Sequence, residues 1–293
     1  MIFLTRDDID DVRWDGVINK SGQGLPYAYS WSLDQVAGKQ WDAIISEDYT
    51  WVLPLPYNRK ICGFKQYYTP YLIQQLGVIG DVESSESFLL LLNKMISKHC
   101  IRAKLAFNEM NGYAPQIFHQ DKTNFVLKLN GPYDKLRSNY KKNLQQVLKK
   151  KDEFNISLGE DSSITTFLKY YFEYTFSKFS ASEKLSPNYI QDYLSLLNSK
   201  GLVNILLSKN DLDEIFAGLL YVKTEKRIII LLQFANPEFK KLSGPSLLID
   251  EVIKKNSNSE ILLDFEGSDI PGIAMFYSAF NPERRSFGIL KIR

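Results

Sequence analysis

A glycine turn near the C-terminus is the part of this sequence best suited to binding an anion. The turn Lys241-Leu-Ser-Gly-Pro-Ser246 stands between a strand-like run, Arg227 to Phe234, and an apolar helix pattern. A strand, a glycine turn and a helix in this order direct free backbone N–H groups and a helix N-terminus toward a phosphate. We therefore expect an anionic cofactor or substrate here. The residues expected to hold it are Lys241, Ser243, Gly244, Ser246 and Leu247.

Tyr277, in the segment Ala274-Met-Phe-Tyr-Ser-Ala-Phe280, is a candidate proton donor. A phenol with a pKa near 10 is protonated at neutral pH and can protonate a leaving group of similar basicity. The alternative is that Tyr277 packs in the core with its hydroxyl on a backbone carbonyl.

Two carboxylates stand at the C-terminal end of the strand-like run Ile261 to Phe265, where ligands lie in folds of this kind. Strand alternation would place Asp264 and Glu266 on one face. Glu266 near an apolar cleft would have a raised pKa and could accept a proton directly or through water, and Asp264 is expected to bind substrate. The alternative is that both carboxylates cap the helix or turn before Pro271.

Composition and spacing argue against several classes of function. A net charge of +2 provides no overall field toward nucleic acid or membrane. No apolar run approaches about 20 residues and no signal-peptide pattern occurs, so we expect a cytoplasmic protein without stable membrane insertion. Cys62 and Cys100 suggest no disulfide framework. His99 and His119 lack neighbours at ligand spacing, so no metal site is expected. No Gly-x-Ser-x-Gly marks a nucleophile elbow.

One order of elements occurs twice: three strands, a loop, a helix and a strand. The first copy runs from Ile44 to Phe107, with its helix at Ser87 to Lys98. The second runs from Val203 to Phe265, with its helix at Gly244 to Lys255. The repeat of order and spacing favours a duplicated fold. We predict two domains, residues 1–130 and 131–293.

The segment between the two copies contains a strand-like run, Asn124 to Leu129, and three helix patterns. Tyr133 to Lys151 predicts one amphipathic helix with a basic back, which could meet tRNA phosphates or a lipid-linked diphosphate. The alternative for this back is an ordinary solvated face. Two further helices are predicted, Ser163 to Phe179 and one from Ser186-Pro187 to Lys200-Gly201.

This element order resembles the GNAT N-acyltransferase fold. In that superfamily a Gln/Arg-x-x-Gly-x-Gly/Ala turn binds the pyrophosphate of an acyl-coenzyme A, and Lys241 to Ser246 is similar to it. The family's short helix has an alanine, an aromatic-tyrosine pair and a following phenylalanine. Residues similar in type and spacing are Ala274, Phe276, Tyr277 and Phe280.

A C-terminal domain of this kind after a diverged copy resembles the FemABX group of tandem-GNAT transferases. The resemblance implies an α+β fold in which each domain is a mostly antiparallel mixed sheet flanked by helices. Leu53-Pro-Leu-Pro56, Tyr68-Thr-Pro-Tyr71 and Gln74-Gln-Leu-Gly77 are similar to segments that line the acceptor cleft in such proteins. Tyr68, Tyr71, Gln74 and Gln75 are thus expected to bind an amine acceptor in the interdomain cleft.

The implied activity is transfer of an acyl group from acyl-coenzyme A, or an aminoacyl group from aminoacyl-tRNA, to a primary amine, with Tyr277 as acid and Glu266 as base. Pro245 departs from the family pattern because it has no N–H, and Ser246 replaces a glycine or alanine. The N–H groups of Ser246 and Leu247 would remain for the phosphates. A tandem-GNAT protein with a decayed donor site, acting as a binding or scaffold module, is the alternative. The acceptor and the oligomeric state stay open.

Overall fold

The computed structural model of the protein describes residues 1–82, 85–112, 114–176, 186–267 and 269–293. The chain divides into two compact units, one of residues 1–124 with 284–293 and one of residues 125–283. The predicted domain boundary after residue 130 stays a prediction, and the last strand of the chain belongs to the first unit.

The strands are numbered in chain order. They are β1 (Ile2–Thr5), β2 (Trp41–Ile45), β3 (Trp51–Ile61), β4 (Phe64–Tyr68), β5 (Ile79–Gly80), β6 (Cys100–Ala106), β7 (Phe118–Lys128), β8 (Ser157–Asp161), β9 (Val203–Lys209), β10 (Ile215–Lys223), β11 (Arg227–Ala235), β12 (Leu262–Asp264) and β13 (Glu283–Ile292).

The helices are numbered in the same way. They are α1 (Asp11–Lys20), α2 (Ser30–Ala37), α3 (Glu86–Ser97), α4 (Tyr133–Ser138), α5 (Lys142–Leu148), α6 (Lys150–Glu153), α7 (Ile164–Tyr174), α8 (Pro187–Ser199), α9 (Gly244–Asn256) and α10 (Pro271–Ser278), with 3-10 turns at Arg6–Asp8, Pro26–Ala28, Glu109–Asn111 and Pro237–Leu242. Among the helices that the structure describes, none combines the length and apolarity needed to cross a bilayer.

The first unit is built on a mostly antiparallel sheet. Strands β1, β2, β3 and β4 pair in sequence order, β6 pairs with β4 in parallel, and β13 pairs with β6 antiparallel. Leu89, Leu92 and Ile96 of α3 are buried in one cluster with Ala103 and Leu105 of β6. The helix therefore covers the face of β6 to which these two side chains point.

The second unit repeats this plan. Strands β8, β9, β10 and β11 form an antiparallel series, and β12 pairs with β11 in parallel and with β7 antiparallel. Leu248, Val252 and Ile253 of α9 are buried against this sheet in a cluster that includes Leu219 and Phe265. The predicted α+β class with mixed, mostly antiparallel sheets flanked by helices is confirmed.

Most predicted element boundaries agree with the structure. The helix predicted at Ser87 to Lys98 is α3, and the helix predicted at Gly244 to Lys255 is α9. The helix predicted at Ser163 to Phe179 begins as α7, and residues 177–179 of that prediction lie outside the described residues. Gly201 has a φ of 69° just after α8, as its predicted place at a helix end requires.

The single helix predicted over Tyr133 to Lys151 is wrong, because this segment forms α4, α5 and α6. The first break is tertiary in origin. Lys141 is extended and its N–H donates to the carbonyl of Ala279 at 2.9 Å, while the buried Tyr140 ring packs at 5.4 Å from the Phe280 ring. A backbone bond to another element here replaces the intrahelical bond, so the amphipathic pattern is interrupted.

A buried ionic cluster ties β2 to β4 in the first unit. Lys65 Nζ lies 2.6 Å from both carboxylate oxygens of Asp42, and the Tyr67 hydroxyl donates to Asp42 Oδ2 at 2.8 Å. All three side chains are buried. Burial, followed by the Asp42 charge, raises the pKa of Tyr67 far above its usual value, so this hydroxyl stays a donor. A charge buried this deeply is tolerated only with its partner.

We expect Asp42→Ala to lower the free energy of unfolding by about 3–5 kcal/mol, because Lys65 would be left buried without a counter-ion. Urea unfolding would measure the loss. The matched control is Glu160→Ala, which breaks the exposed Lys255 pair and should cost far less. Equal losses in the two variants would show that the buried cluster does not stabilise the unit.

Candidate functional site

The parallel strands β11 and β12 separate in the second unit. Their last pair is Ile229 with Asp264, after which β11 continues to Ala235. The chain beyond β12 instead follows β7, since the Phe265 N–H donates to the carbonyl of Phe125 at 3.0 Å. The separation leaves a notch at the carboxyl ends of two parallel strands, where open sheets with crossover helices bind ligands.

Tyr277 lies against the separated part of β11. Gln233 Nε2 donates to the Tyr277 hydroxyl oxygen at 3.4 Å, and the Tyr277 ring centroid lies 5.2 Å from that of Phe265. Only 6% of Tyr277 is exposed. Burial, and then the charge of Glu266, raises the pKa of Tyr277 well above its ordinary value. The phenol is therefore protonated across the physiological range.

The proton of Tyr277 has no recipient among the residues that the structure describes. The hydroxyl oxygen accepts from Gln233, and no backbone carbonyl receives its O–H. The interpretation of Tyr277 as a core residue bonded to a carbonyl therefore lacks its bond. Gln233 Oε1 is also buried without a hydrogen-bond partner in the described part of the chain. A 180° rotation of the Gln233 amide exchanges its oxygen and nitrogen, after which the Tyr277 O–H would donate to Oε1.

Asp264 has two structural contacts. Its Oδ2 lies 2.5 Å from Arg227 Nη1 in a buried ion pair, and its Oδ1 accepts the N–H of Glu266 at 2.8 Å. The second bond supports a turn in which Glu266 and Gly267 have φ values of 54° and 41°. Asp264 therefore fixes the local backbone, in line with the capping alternative, and its role in substrate binding stays a prediction.

Glu266 is half-buried beside this notch. It directly follows Phe265, whose ring centroid lies 5.2 Å from that of Tyr277. A left-handed φ is uncommon for a glutamate and costs free energy unless the surroundings enforce it, as the Asp264 bond does here. The structure thus brings Glu266 and Tyr277 into one neighbourhood, while the role of Glu266 as base stays a prediction.

The glycine turn forms internal hydrogen bonds that the sequence does not predict. The N–H groups of Ser246 and Leu247 both donate to the carbonyl of Ser243, at 3.0 and 3.4 Å. The expectation that these two groups are open to a phosphate is not met. A Cβ added to Gly244 would lie 2.4 Å from the Ala217 Cβ, so this glycine allows α9 to pack closely on β10. Lys241 is exposed at the turn. Donor binding by Lys241, Ser243, Gly244, Ser246 and Leu247 stays a prediction.

A groove of about 760 Å³ lies in the first unit, on the sheet formed by β4, β6 and β13. We call it the basic groove; its described lining consists of Asn58, Gln66, Tyr67, Tyr68, Thr69, Tyr71, Ile73, Gln74, Arg102, Ala103, Lys104, Ala106, Ile289, Lys291, Ile292 and Arg293. The structure therefore brings together Tyr68, Tyr71 and Gln74, three of the residues predicted to bind the acceptor.

Gln75 does not line the groove. It is buried, its Oε1 accepts the N–H of Glu109 at 2.8 Å, and its Nε2 donates to Gln74 Oε1 at 2.8 Å. Gln75 therefore holds Gln74 in place, while its own predicted contact with substrate stays untested.

The chain after Gln74 is held by two asparagines. Asn108 Nδ2 donates to the carbonyls of Leu76 and Val78, and Asn111 Oδ1 accepts the N–H of Val78. Gly77 makes this approach feasible, because it has a φ of 72° and an added Cβ would lie 2.2 Å from Asn111 Oδ1. The loop that carries Tyr71 and Gln74 is thus anchored at its C-terminal end.

Sequence reasoning missed five residues at these two sites. Four are the cations of the basic groove, Arg102, Lys104, Lys291 and Arg293, and the fifth is Gln233. The available signal was the alternation of cations at i and i+2 in β6 and at the end of β13. Nothing in the sequence states that these two strands are neighbours.

The described residues contain no group of three or more His, Cys, Asp or Glu side chains arranged to hold a metal ion.

Solved structures show what this fold resembles. FemX has a TM-score of 0.70 at 11% sequence identity, with 98% of this chain and 96% of FemX covered. L-PGS from Bacillus licheniformis has a TM-score of 0.55 at 12% identity, with 97% and 92% covered. A tandem GNAT protein from the clavulanic acid biosynthesis pathway, solved without AcCoA, has a TM-score of 0.53 at 11% identity, with 99% and 98% covered.

The chain therefore has a tandem-GNAT, FemABX-like fold, in which each unit is one GNAT-like domain. No protein-family model and no curated protein matches the sequence. The predicted resemblance is thus confirmed at the level of fold.

We expect Gly244→Ala to destabilise the protein by about 1–3 kcal/mol, because the new Cβ would overlap Ala217 and Phe216. Thermal unfolding would measure the change. Gly272→Ala is the control, since Gly272 also lies in the first turn of a helix and an added Cβ meets nothing within 4 Å. A Gly244→Ala variant as stable as the Gly272→Ala control would contradict the packing role.

Proposed function

We propose that the second unit transfers an acyl or aminoacyl group to a primary amine. The observation that carries this proposal is the buried Tyr277 hydroxyl, which stands in the notch bonded to the Gln233 amide, with its ring beside Phe265 at the end of β12. The tandem-GNAT fold supports the same class of chemistry as an analogy.

In this reaction the amine nitrogen attacks the acyl carbonyl carbon, and the bond to the leaving oxygen or sulfur breaks. Tyr277 would give its proton to the leaving atom, and Glu266 would take a proton from the attacking ammonium directly or through one water. A ribose hydroxyl or a thiol is then released. The nitrogen loses a second proton as the amide forms, and this proton returns to the Tyr277 phenolate. Glu266 then releases the proton it took to solvent.

Two features favour an aminoacyl ester, such as aminoacyl-tRNA, over an acyl thioester as the donor. The raised pKa makes Tyr277 a weak acid, and a weak acid suits a basic alkoxide leaving group better than a thiolate, since a thiol is more acidic than a phenol. The N–H groups of Ser246 and Leu247 are already bonded to Ser243, which removes two donors from a pyrophosphate cradle. Acyl-coenzyme A is the competing donor.

Calorimetric titration would separate the two donors. We expect charged tRNA to bind with measurable heat and acetyl-coenzyme A to give neither heat nor a thermal shift at millimolar concentration, since the N–H groups of Ser246 and Leu247 are already bonded to Ser243. Tight binding of acetyl-coenzyme A would overturn the choice of an ester donor. Failure of both donors to bind would overturn the transferase proposal and favour a binding or scaffold module.

A Tyr277→Phe variant should lower the rate of amide formation by about 100-fold or more, because it removes the proposed acid while keeping the ring. Single-turnover product formation would measure this step. Tyr221→Phe is the matched control, since Tyr221 is also buried and burial raises its pKa to about 12. Unchanged turnover in the Tyr277→Phe variant would remove this residue from the mechanism.

A further inference from the structure

The basic groove of the first unit places like charges directly opposite each other. Lys104 of β6 pairs in register with Lys291 of β13 on one side and with Tyr68 of β4 on the other. Arg102 pairs with Gln66, and Arg293 follows Ile292, which pairs with Ala103. Strand alternation therefore stacks two rows of cations on the sheet face opposite the buried Ala103 and Leu105.

This arrangement is unfavourable without a ligand. Like charges directly opposite each other on neighbouring strands destabilise a sheet. The described lining of the groove contains no aspartate or glutamate, and none of its four cations forms an ion pair with a described residue. Exposed lysines elsewhere do have partners, as Lys209 has Asp213 and Lys255 has Glu160. The groove thus retains an uncompensated positive field.

The polar groups beside the cations suit the same kind of ligand. Burial, and then the neighbouring Tyr71, raises the pKa of Tyr68, so its hydroxyl stays protonated and can donate. Lysine, arginine and tyrosine present donors that match the acceptor-only oxygens of phosphates and carboxylates. The volume of about 760 Å³ lies in the range of small-molecule sites.

The spacing of the rows adds a requirement on the ligand. Residues two positions apart on a strand are separated by roughly 7 Å. The Lys104–Lys291 row and the Arg102–Arg293 row therefore start about this far apart, and the four cations spread positive charge over more than one anionic group. A ligand that neutralises both rows must carry two such groups.

We propose that the basic groove binds a small molecule with at least two negatively charged groups, one on each cation row. If this molecule is also the acceptor of the transferred group, that role rests on the proposed function. The anion site itself stands on the geometry of the first unit.

Calorimetry with the full-length protein tests the site without any donor. The probes are inorganic tripolyphosphate, the dicarboxylate succinate, and inorganic phosphate as the single-group reference. We expect a probe with two or more groups to bind at least about tenfold more tightly than phosphate, and to weaken steeply as salt is raised. Tighter binding of tripolyphosphate would identify a phosphate ligand, and tighter binding of succinate would identify a carboxylate ligand. Equal binding of all three probes would mean an adventitious ion only and would overturn the proposal.

Two variants give a signature that a structural role would not produce. Lys104→Gln and Lys291→Gln should each weaken the favoured probe by roughly fivefold to tenfold, while raising the melting temperature by about 1–3 °C through loss of the like-charge contact. Lys128→Gln is the control, since Lys128 is an exposed lysine on β7 that does not line the groove. Probe affinities that match the control in both variants would overturn the proposal.

The outcome is separable from that of the proposed function. Binding of tripolyphosphate or succinate without amide formation from either donor would support the anion site and contradict the transferase proposal. Amide formation without binding of any probe would support the transferase proposal and contradict the anion site.

Discussion

The buried ion pair between Arg227 and Asp264 is the contact on which the candidate donor site depends. It joins the first residue of β11 to the last residue of β12, and the second oxygen of Asp264 accepts the N–H of Glu266 where the chain turns. Two charges taken out of water stabilise a fold only when each keeps its partner. The pair thus holds the end of β12 on β11, and beyond Asp264 the chain follows β7 instead. This separation defines the notch that Tyr277 enters.

The unsatisfied groups in this notch have a physical cost. A buried amide oxygen without a donor, as at Gln233, forfeits about 1–3 kcal/mol relative to one that is bonded. In native structures such groups are few, and a catalytic role or a bound water or ion are among their explanations. The facing Lys104 and Lys291 of the basic groove also carry a cost, because two like charges lie opposite each other on neighbouring strands. Each unit thus contains local features that packing alone does not explain.

The glycine turn shows why a motif must be examined in its packing. A glycine can admit a phosphate to a helix N-terminus, which is the role that the sequence predicts for Gly244. In the structure, a Cβ added to Gly244 would overlap Ala217 and Phe216. The N–H groups expected to face the ligand close the first turn of α9 onto Ser243. A glycine at this position allows the helix to pack closely on the sheet. The sequence alone does not distinguish this packing requirement from ligand binding.

The sequence by itself determined the order of elements and most of their bounds, because hydrophobic periodicity, Ser186-Pro187 at the start of α8 and Gly201 after it act over a few neighbouring residues. It also identified Tyr277 and Glu266, which the structure brings into one neighbourhood. Tertiary structure alone decided the break at Lys141, the bond from Gln233 to Tyr277 and the meeting of Lys104 with Lys291. Each of these joins residues far apart in the chain, and a strand's sequence does not state which strand lies beside it.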